Sequence, residues 1–354
     1  MRELQGLLDR LVAAGAPGAA GWVQDDNGAS QAAAAGVADL RTGGPMRPEL
    51  RFRAGSLTKS LVATVVLQLV AEGRLSLQDS LDRRLPGILP YGEQVTLRQL
   101  LNHTSGVPHN WAAVEQELYR SPGGRSRDWS PRELVALVAG QPPDFPPGTA
   151  WSYSNTGYHL LGLVVEAASG STLGQELHRR IAAPLGLHGT SFPERSPEIP
   201  SPRSRGYSLP LDPRGKPLDG PLLDITAQNP SWAWAAGALV SDLEDLISFF
   251  RALLGGRLLP PGLLAEMLPT VTVPPSSIPL PVYDRYGLGL LETGTPAGRL
   301  VGMVGGIPGY LSIVLSTHDG RRQLGLMINL LVAPDVVVEA FIKVVRELGL
   351  RLLS

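Results

Sequence analysis

The chain has 354 residues, 43% of them hydrophobic and 18% charged, with 32 acidic against 31 basic side chains and no cysteine. That is an ordinary soluble globular balance, and the length calls for one large composite domain or two. It excludes disulfides and cysteine nucleophiles, provides no net field to draw nucleic acid or an anionic membrane, and holds no run of the ~18 apolar residues a membrane span needs.

The chain opens MRELQGLLDRLVAAGAPG, where Leu4, Leu7, Leu8, Leu11 and Val12 recur at helical spacing among charged residues. This reads as an amphipathic helix rather than the uninterrupted apolar core of a secretory signal, so a cytoplasmic location is the expectation. Two apolar stretches, GAAGWVQDD and ASQAAAAGVADL, flank Asn27-Gly28, a hairpin signal. LRFRAG alternates apolar and basic residues like a half-buried strand. From Leu57 to Val70 apolar residues fall on nearly every face, which predicts a buried central helix ended by Gly73. Residues 76–190 carry several short helical patterns, one introduced by Ser130 as N-cap and Pro131 at the first helical position. The proline-rich stretch 193–221 is a loop. The helix DLEDLISFFRALL and a second proline-rich loop, VPPSSIPLPVYD, follow it. Strands then alternate with turns through YGLGLLE, RLVGMVGG, GYLSIVLSTHDG and RQLGLMINLLV before a last helix, DVVVEAFIKVVRELGLRLL. The pattern predicts an α/β (α+β) protein: an antiparallel sheet from both chain ends (1–75 and 235–354), flanked by the terminal helices, with an all-helical subdomain over 76–234.

Only three lysines occur, and one of them, Lys59, lies inside the apolar run three residues after Ser56. Residues i and i+3 of a helix share a face, so the two side chains meet if the helix begins near Ser56. A buried ammonium can lose its proton, as guanidinium cannot, and the neutral amine can then activate a serine hydroxyl. As a bare tetrapeptide, S-x-x-K reads equally as an accident of a helix end. Further on, Tyr153-Ser154-Asn155 precedes an apolar helix. It reads either as a capping turn or as a proton-transferring phenol beside an amide that can bind substrate.

Together with their flanks the two motifs resemble the serine beta-lactamase and penicillin-recognising family, in its branch of class C beta-lactamases, DD-peptidases, esterases and acyltransferases. The matching pieces run in family order: FRAGSLTKSLVA, LRQLLNHTSGVP, PPGTAWSYSNTGYHLLG, AAGALVSDLEDL, YGLGL and GGIPGY. The resemblance implies a beta-lactamase-like fold, Ser56 as the acylated nucleophile, Lys59 as its base and Tyr153 as the second proton-transfer group. Asn155 would hold the substrate, and the backbone N–H of Gly306 would pair with that of Ser56 as an oxyanion hole. Cofactors and metals are not implied. The substrate would be a small acyl compound, with an amine or alcohol as the alternative acceptor to water.

One position departs from the pattern. Met303 stands where the family usually carries Lys or His, the group that helps hold a substrate carboxylate, and Arg285 or Arg299 is the candidate replacement. The departure favours an esterase or transacylase on uncharged substrates over a D-alanyl-D-alanine carboxypeptidase, D-aminopeptidase or beta-lactamase. A rival of another class is a non-catalytic binding or sensor domain on the same fold. His103-Thr104-Ser105-Gly106 reads as a structural turn, and His103 and His109 lack the spacing of metal ligands. Trp232, Trp234 and Tyr207 read either as the lining of an acyl pocket or as loop packing.

Overall fold

The computed structural model describes residues 2–120, 123–212, 215–275 and 281–353. Parts of both proline-rich loops, 213–214 and 276–280, lie outside the described residues.

The first helix, Arg2–Ala13, buries Leu4, Leu7, Leu8 and Leu11, the apolar stripe its spacing predicts. The strands β1 (Gly18–Gln24), β2 (Ser30–Asp39) and β3 (Gly44–Pro45) follow. Two short pairs come next: β4 (Phe52–Arg53) with β7 (Val240–Ser241), and β5 (Tyr207–Ser208) with β6 (Leu223–Asp224). The carboxy-terminal part supplies β8 (Val271–Thr272), β9 (Arg285–Tyr286), β10 (Leu291–Thr295), β11 (Gly298–Ile307), β12 (Tyr310–Ser316) and β13 (Gln323–Ile328). These strands and the first three join in one antiparallel sheet ordered β3-β2-β1-β13-β12-β11-β10-β9-β8. The chain ends meet where β1 pairs β13, Ala19 opposite Ile328. The helices Arg2–Ala13 and Asp335–Leu353 pack together on one face, against β1, β2, β10 and β13. On the other face the helix Leu243–Leu254 and the turn Gly55–Leu57 lie against β12 and its neighbours.

The alternation in LRFRAG is misleading. Only Phe52 and Arg53 are in strand conformation, they pair with β7 outside the large sheet, and both are buried. Arg53 points inward because backbone carbonyl oxygens, which no residue pattern reveals, receive its guanidinium there.

Among the described residues, the elements between Leu81 and Leu185 are all helical. Ser130 Oγ accepts from the Glu133 N–H, and the Glu133 carboxylate accepts from the Ser130 N–H, a capping box that starts Pro131–Ala139. Helices Trp111–Arg120 and Pro261–Met267 lie where the sequence pattern does not single them out. Helix Asn155–Ser169 packs on the central helix Thr58–Ala71, whose apolar faces leave nearly every residue buried. Beyond Thr190 the chain leaves the helical part: Ser191 bridges Val240 of the β4–β7 pair, Tyr207 bridges Leu330 just past β13, and β5 and β6 interrupt the stretch 76–234 that the pattern predicts as all helical.

Phe341 is wholly buried on the carboxy-terminal helix. Phe341→Ala is expected to lower the unfolding free energy by about 3–5 kcal/mol in a urea titration. At 25 °C the turnover per folded molecule should not change, because the helix covers the face of the sheet opposite Ser56.

Candidate active site

Ser56 sits in the single turn Gly55–Leu57 that runs straight into helix Thr58–Ala71. The turn is tied down locally: Thr58 Oγ1 donates to Gly55 O at 2.7 Å and accepts from Leu239 N at 3.1 Å. Gly55 has φ +55, and a Cβ there would lie 2.8–3.1 Å from the backbone N, C and O of Gly306. Glycine is therefore required by both the left-handed backbone and the approach of β11. β10 pairs β11 only as far as Gly302, so beyond that point no strand among the described residues covers the β10 side of β11, which faces the Ser56 turn. Alternate N–H groups along such an edge are free of ladder partners, and Gly306 is exposed at this place.

The side chain of Lys59 is wholly buried. Its Nζ donates to Ala236 O at 2.7 Å and Asn155 Oδ1 at 2.9 Å, and lies 3.2 Å from Ser56 Oγ. Burial pushes the ammonium well below its ordinary pKa. A neutral amine gives its two hydrogens to the two carbonyl oxygens and turns its lone pair to Ser56. Tyr153 Oη donates to Ser56 Oγ at 2.7 Å. Burial raises the Tyr153 phenol beyond its ordinary range, so it is a proton donor and not a resting base. Ser56, Lys59, Tyr153 and Asn155 thus come together, although Tyr153 lies 97 residues from Ser56. Since Asn155 Oδ1 is engaged by Lys59, its Nδ2 is left for the cavity it lines.

Two histidines hold the Tyr153–Asn155 turn. His103 Nδ1 accepts from Ser154 N and His109 Nδ1 from Asn155 N, both at 3.2 Å. An imidazole can accept at Nδ1 only when that nitrogen carries no proton. Burial pushes His109 down to about 4 and His103 well below its ordinary value, which keeps both neutral. The turn read at His103 is real, with φ +64. The role of His109 has no signal in the sequence beyond its proximity to that turn.

A cavity of about 560 Å³ opens over Ser56. Its walls include Trp111, Trp232, Tyr283, Tyr286 and Ile307, with Trp111 and Trp232 at 5.5 Å between ring centroids. Met303 also lines it, and its Sδ receives the Tyr286 hydroxyl at 3.7 Å. No acid, lysine or arginine appears among the described lining residues. The expectation that Arg285 or Arg299 replaces the missing cation is wrong: Arg285 is bound to Thr270, Arg299 to Asp284 and Glu292, and neither lines the cavity. Tyr207 and Trp234 do not line it either. Tyr207 Oη accepts from Leu40 N, and the Trp234 ring packs on Gly162.

A profile of the Beta-lactamase family matches residues 4–345. The chain belongs to that family. Among its curated relatives, esterase EstB of Burkholderia gladioli is 38% identical over 175 residues, 47% of this chain and 44% of that protein. Penicillin-binding protein 4* of Bacillus subtilis (strain 168) is 28% identical over 309 residues, 83% of this chain and 64% of that one. The chain thus spans less than two thirds of either relative's length. Among solved structures, a D-stereospecific amidohydrolase from Streptomyces sp. superposes with a TM-score of 0.84 at 38% identity, covering 96% of this chain and 97% of the other. The D-amino acid amidase from Ochrobactrum anthropi SV3 complexed with L-phenylalanine gives 0.86 at 30% identity, with 99% and 98% covered. Likeness at these levels fixes the beta-lactamase-like fold, an antiparallel sheet flanked by helices. Among the described residues, no helix is long and apolar enough to cross a membrane.

Gly55→Ala is expected to leave the far-UV circular dichroism unchanged while pushing β11 off the Ser56 turn. The rate at which a fluorophosphonate labels the protein should drop roughly 10²-fold, the usual cost of a ~1 Å misplacement. Labelling at the wild-type rate would show that this contact does not set the site.

Proposed function

We propose that the chain is a serine hydrolase that cleaves small, uncharged esters and amides through an acyl-Ser56 intermediate. The observation that carries this reading is the hydrogen-bond chain from Tyr153 Oη to Ser56 Oγ to Lys59 Nζ, with the remaining amine hydrogens held by Asn155 and Ala236. As Oγ bonds to the substrate carbonyl carbon, its proton passes to the Lys59 lone pair. The oxyanion is held by the backbone N–H groups of Ser56 and Gly306. Collapse breaks the bond to the leaving group, which takes its proton through Tyr153. Water, or an amine or alcohol acceptor in the open part of the cavity, then attacks the acyl-enzyme by the reverse path. The substrate's acyl part packs on the aromatic walls, and Asn155 Nδ2 donates to its amide or ester oxygen.

A second reading, hydrolysis of D-amino-acid amides, is favoured by the two amide-cleaving structural relatives and the aromatic cavity. We place the reaction in the cytoplasm, in keeping with a cavity whose described lining residues offer no lysine or arginine to the carboxylates of cell-wall peptides.

The sign of the pH dependence follows from Lys59. Below its lowered pKa the amine is protonated and has no lone pair, so kcat/KM should fall as pH drops through that value and reach a plateau above it. Lys59→Arg cannot lose its proton and should cost roughly 10²–10⁴-fold at every pH. Intact-protein mass after brief exposure to a short-chain p-nitrophenyl ester should show one acyl adduct, absent in Ser56→Ala. An adduct surviving in Ser56→Ala would end the proposal, and D- against L-phenylalanine amide as substrates would decide the second reading.

Met303→Lys is expected to raise the ratio of turnover of a carboxylate-bearing ester to that of its neutral methyl-capped analogue. An unchanged ratio would place substrate carboxylates elsewhere than beside position 303.

A further inference from the structure

Arg53 is only 1% exposed, three residues before Ser56, and among the described residues no carboxylate lies within ion-pair distance of its guanidinium, Glu198 acting on it only from farther off. Burying a cation is costly unless its donors are received, so the groups that receive it indicate what it is for. Its Nη2 donates to three backbone carbonyl oxygens: Pro197 at 2.6 Å, Gln228 at 2.9 Å and Thr226 at 3.3 Å. Burial lowers its pKa to about 10, which still leaves it a cation at neutral pH. One charged group thus gathers both ends of the long segment between the helical insertion and β7. Gln228 carries the connection onward. While its carbonyl accepts from Arg53, its Nε2 donates to Pro308 O at 2.9 Å. Pro308 and Gly309 form the turn between β11 and β12, separated from Gly306 by Ile307, and Pro308 lines the cavity. The same turn is pressed from the side: a Cβ on Gly309 would lie 2.9 Å from Gly206 Cα, and Tyr310 Oη donates to Ser204 O at 3.0 Å. Arg53 and Ser56 share one rigid stretch of chain, because Ala54 N donates to Leu239 O at 2.8 Å.

We propose that Arg53 is a positioning residue for the oxyanion hole: through Gln228 it fixes the distance between the Ser56 turn and the Pro308-Gly309 turn, and so the placement of the Gly306 N–H against that of Ser56. This rests on the acyl-serine reading above. Arg53 touches no substrate; it acts through two hydrogen bonds in series, its guanidinium to the Gln228 carbonyl and the Gln228 side-chain amide to the Pro308 carbonyl, and breaking either should loosen the same turn.

The test compares hydrolysis of a p-nitrophenyl ester with that of its thiono analogue, in which sulfur replaces the carbonyl oxygen. An oxyanion hole set for oxygen favours the oxo ester, whereas a general loss of folded protein lowers both rates alike. Arg53→Met, which keeps the side-chain length without the donors, should lower kcat on the oxo ester by about 10²-fold, the scale of losing one oxyanion donor. KM should stay within about twofold, and the oxo-to-thiono ratio should fall with kcat. Gln228→Leu, which keeps its backbone carbonyl, should reproduce part of the loss, and Arg53→Lys should recover part of it. Gln228→Leu carries the same readout if Arg53→Met does not fold. A ratio that does not move in the folded variants, or a loss confined to KM, overturns the assignment. Mass analysis of the wild type separates the two levels. If Ser56 takes no acyl group, the acyl-serine reading fails and this one with it. If Ser56 acylates normally while the ratio is unmoved, only the role of Arg53 falls.

Discussion

A lysine amine cut off from water needs its hydrogens accepted by protein, and that requirement organises this structure. Lys59 is in the first turn of a helix covered on nearly every side, and its Nζ meets oxygens from three separate stretches of chain: Ser56, Asn155 and Ala236. In sequence these groups span 180 residues, so only the completed fold solvates the amine. The arrangement also settles direction. Two of the three partners are carbonyl oxygens that can only accept, whereas the third is a hydroxyl that can give. Neutral Lys59 therefore has one place for its lone pair, and it points at the serine.

The layer behind those partners is built to the same end. The Ala236 carbonyl is presented by a short helix, Trp234–Gly237, whose first residue has φ +28. A tryptophan with that backbone is strained and persists only where its surroundings leave it no alternative. Here they do: the Trp234 ring stacks on His159 and fills the space beside Gly162, where a Cβ would lie 2.7 Å from it. On the opposite side His109 and His103 accept the N–H groups of Asn155 and Ser154. Histidines in this position are useful because burial keeps them neutral; protonated at Nδ1, each would repel the amide it now holds. The strain at Trp234 and the two imidazoles hold the acceptors of Lys59 from two sides.

What could be read from the sequence was what is local. Ser56 and Lys59 are three apart and Tyr153 and Asn155 two apart, spacings that put side chains together once the first pair is on a helix turn and the second in an extended or turn segment. The strands at the chain ends are short apolar stretches set off by turn residues, which is enough to see them, and the amphipathic stripe of the first helix is the face it buries. Their joining into one active site was legible only through resemblance to a family, because no local rule connects position 56 to position 153. What escaped has a common cause. The partners of Lys59 and Arg53 that matter most are backbone carbonyls, of Ala236, Pro197, Thr226 and Gln228, and a carbonyl has no letter in the sequence. The alternation around Arg53 therefore pointed the side chain outward, and the arginines at 285 and 299 looked available when acids on neighbouring strands had already taken them.

The uncharged residue at 303 shows how the two halves of an enzyme's task separate here. The oxyanion hole proposed at β11 would be a property of its backbone edge, which is open because β10 stops pairing at Gly302, and would not depend on the side chains on either face. Recognition of a substrate carboxylate, on the same proposal, would belong to the side chain at position 303 of that strand. Met303 fills the space of a basic residue while offering the Tyr286 hydroxyl only a weak sulfur acceptor. On that proposal, exchanging one letter would alter which acyl compounds are held without disturbing where their carbonyl oxygen goes. A strand edge that supplies the chemistry through its amides leaves its side chains free to vary. The relatives of this chain, an esterase, a penicillin-binding protein and amide-cleaving enzymes, are what such freedom would produce.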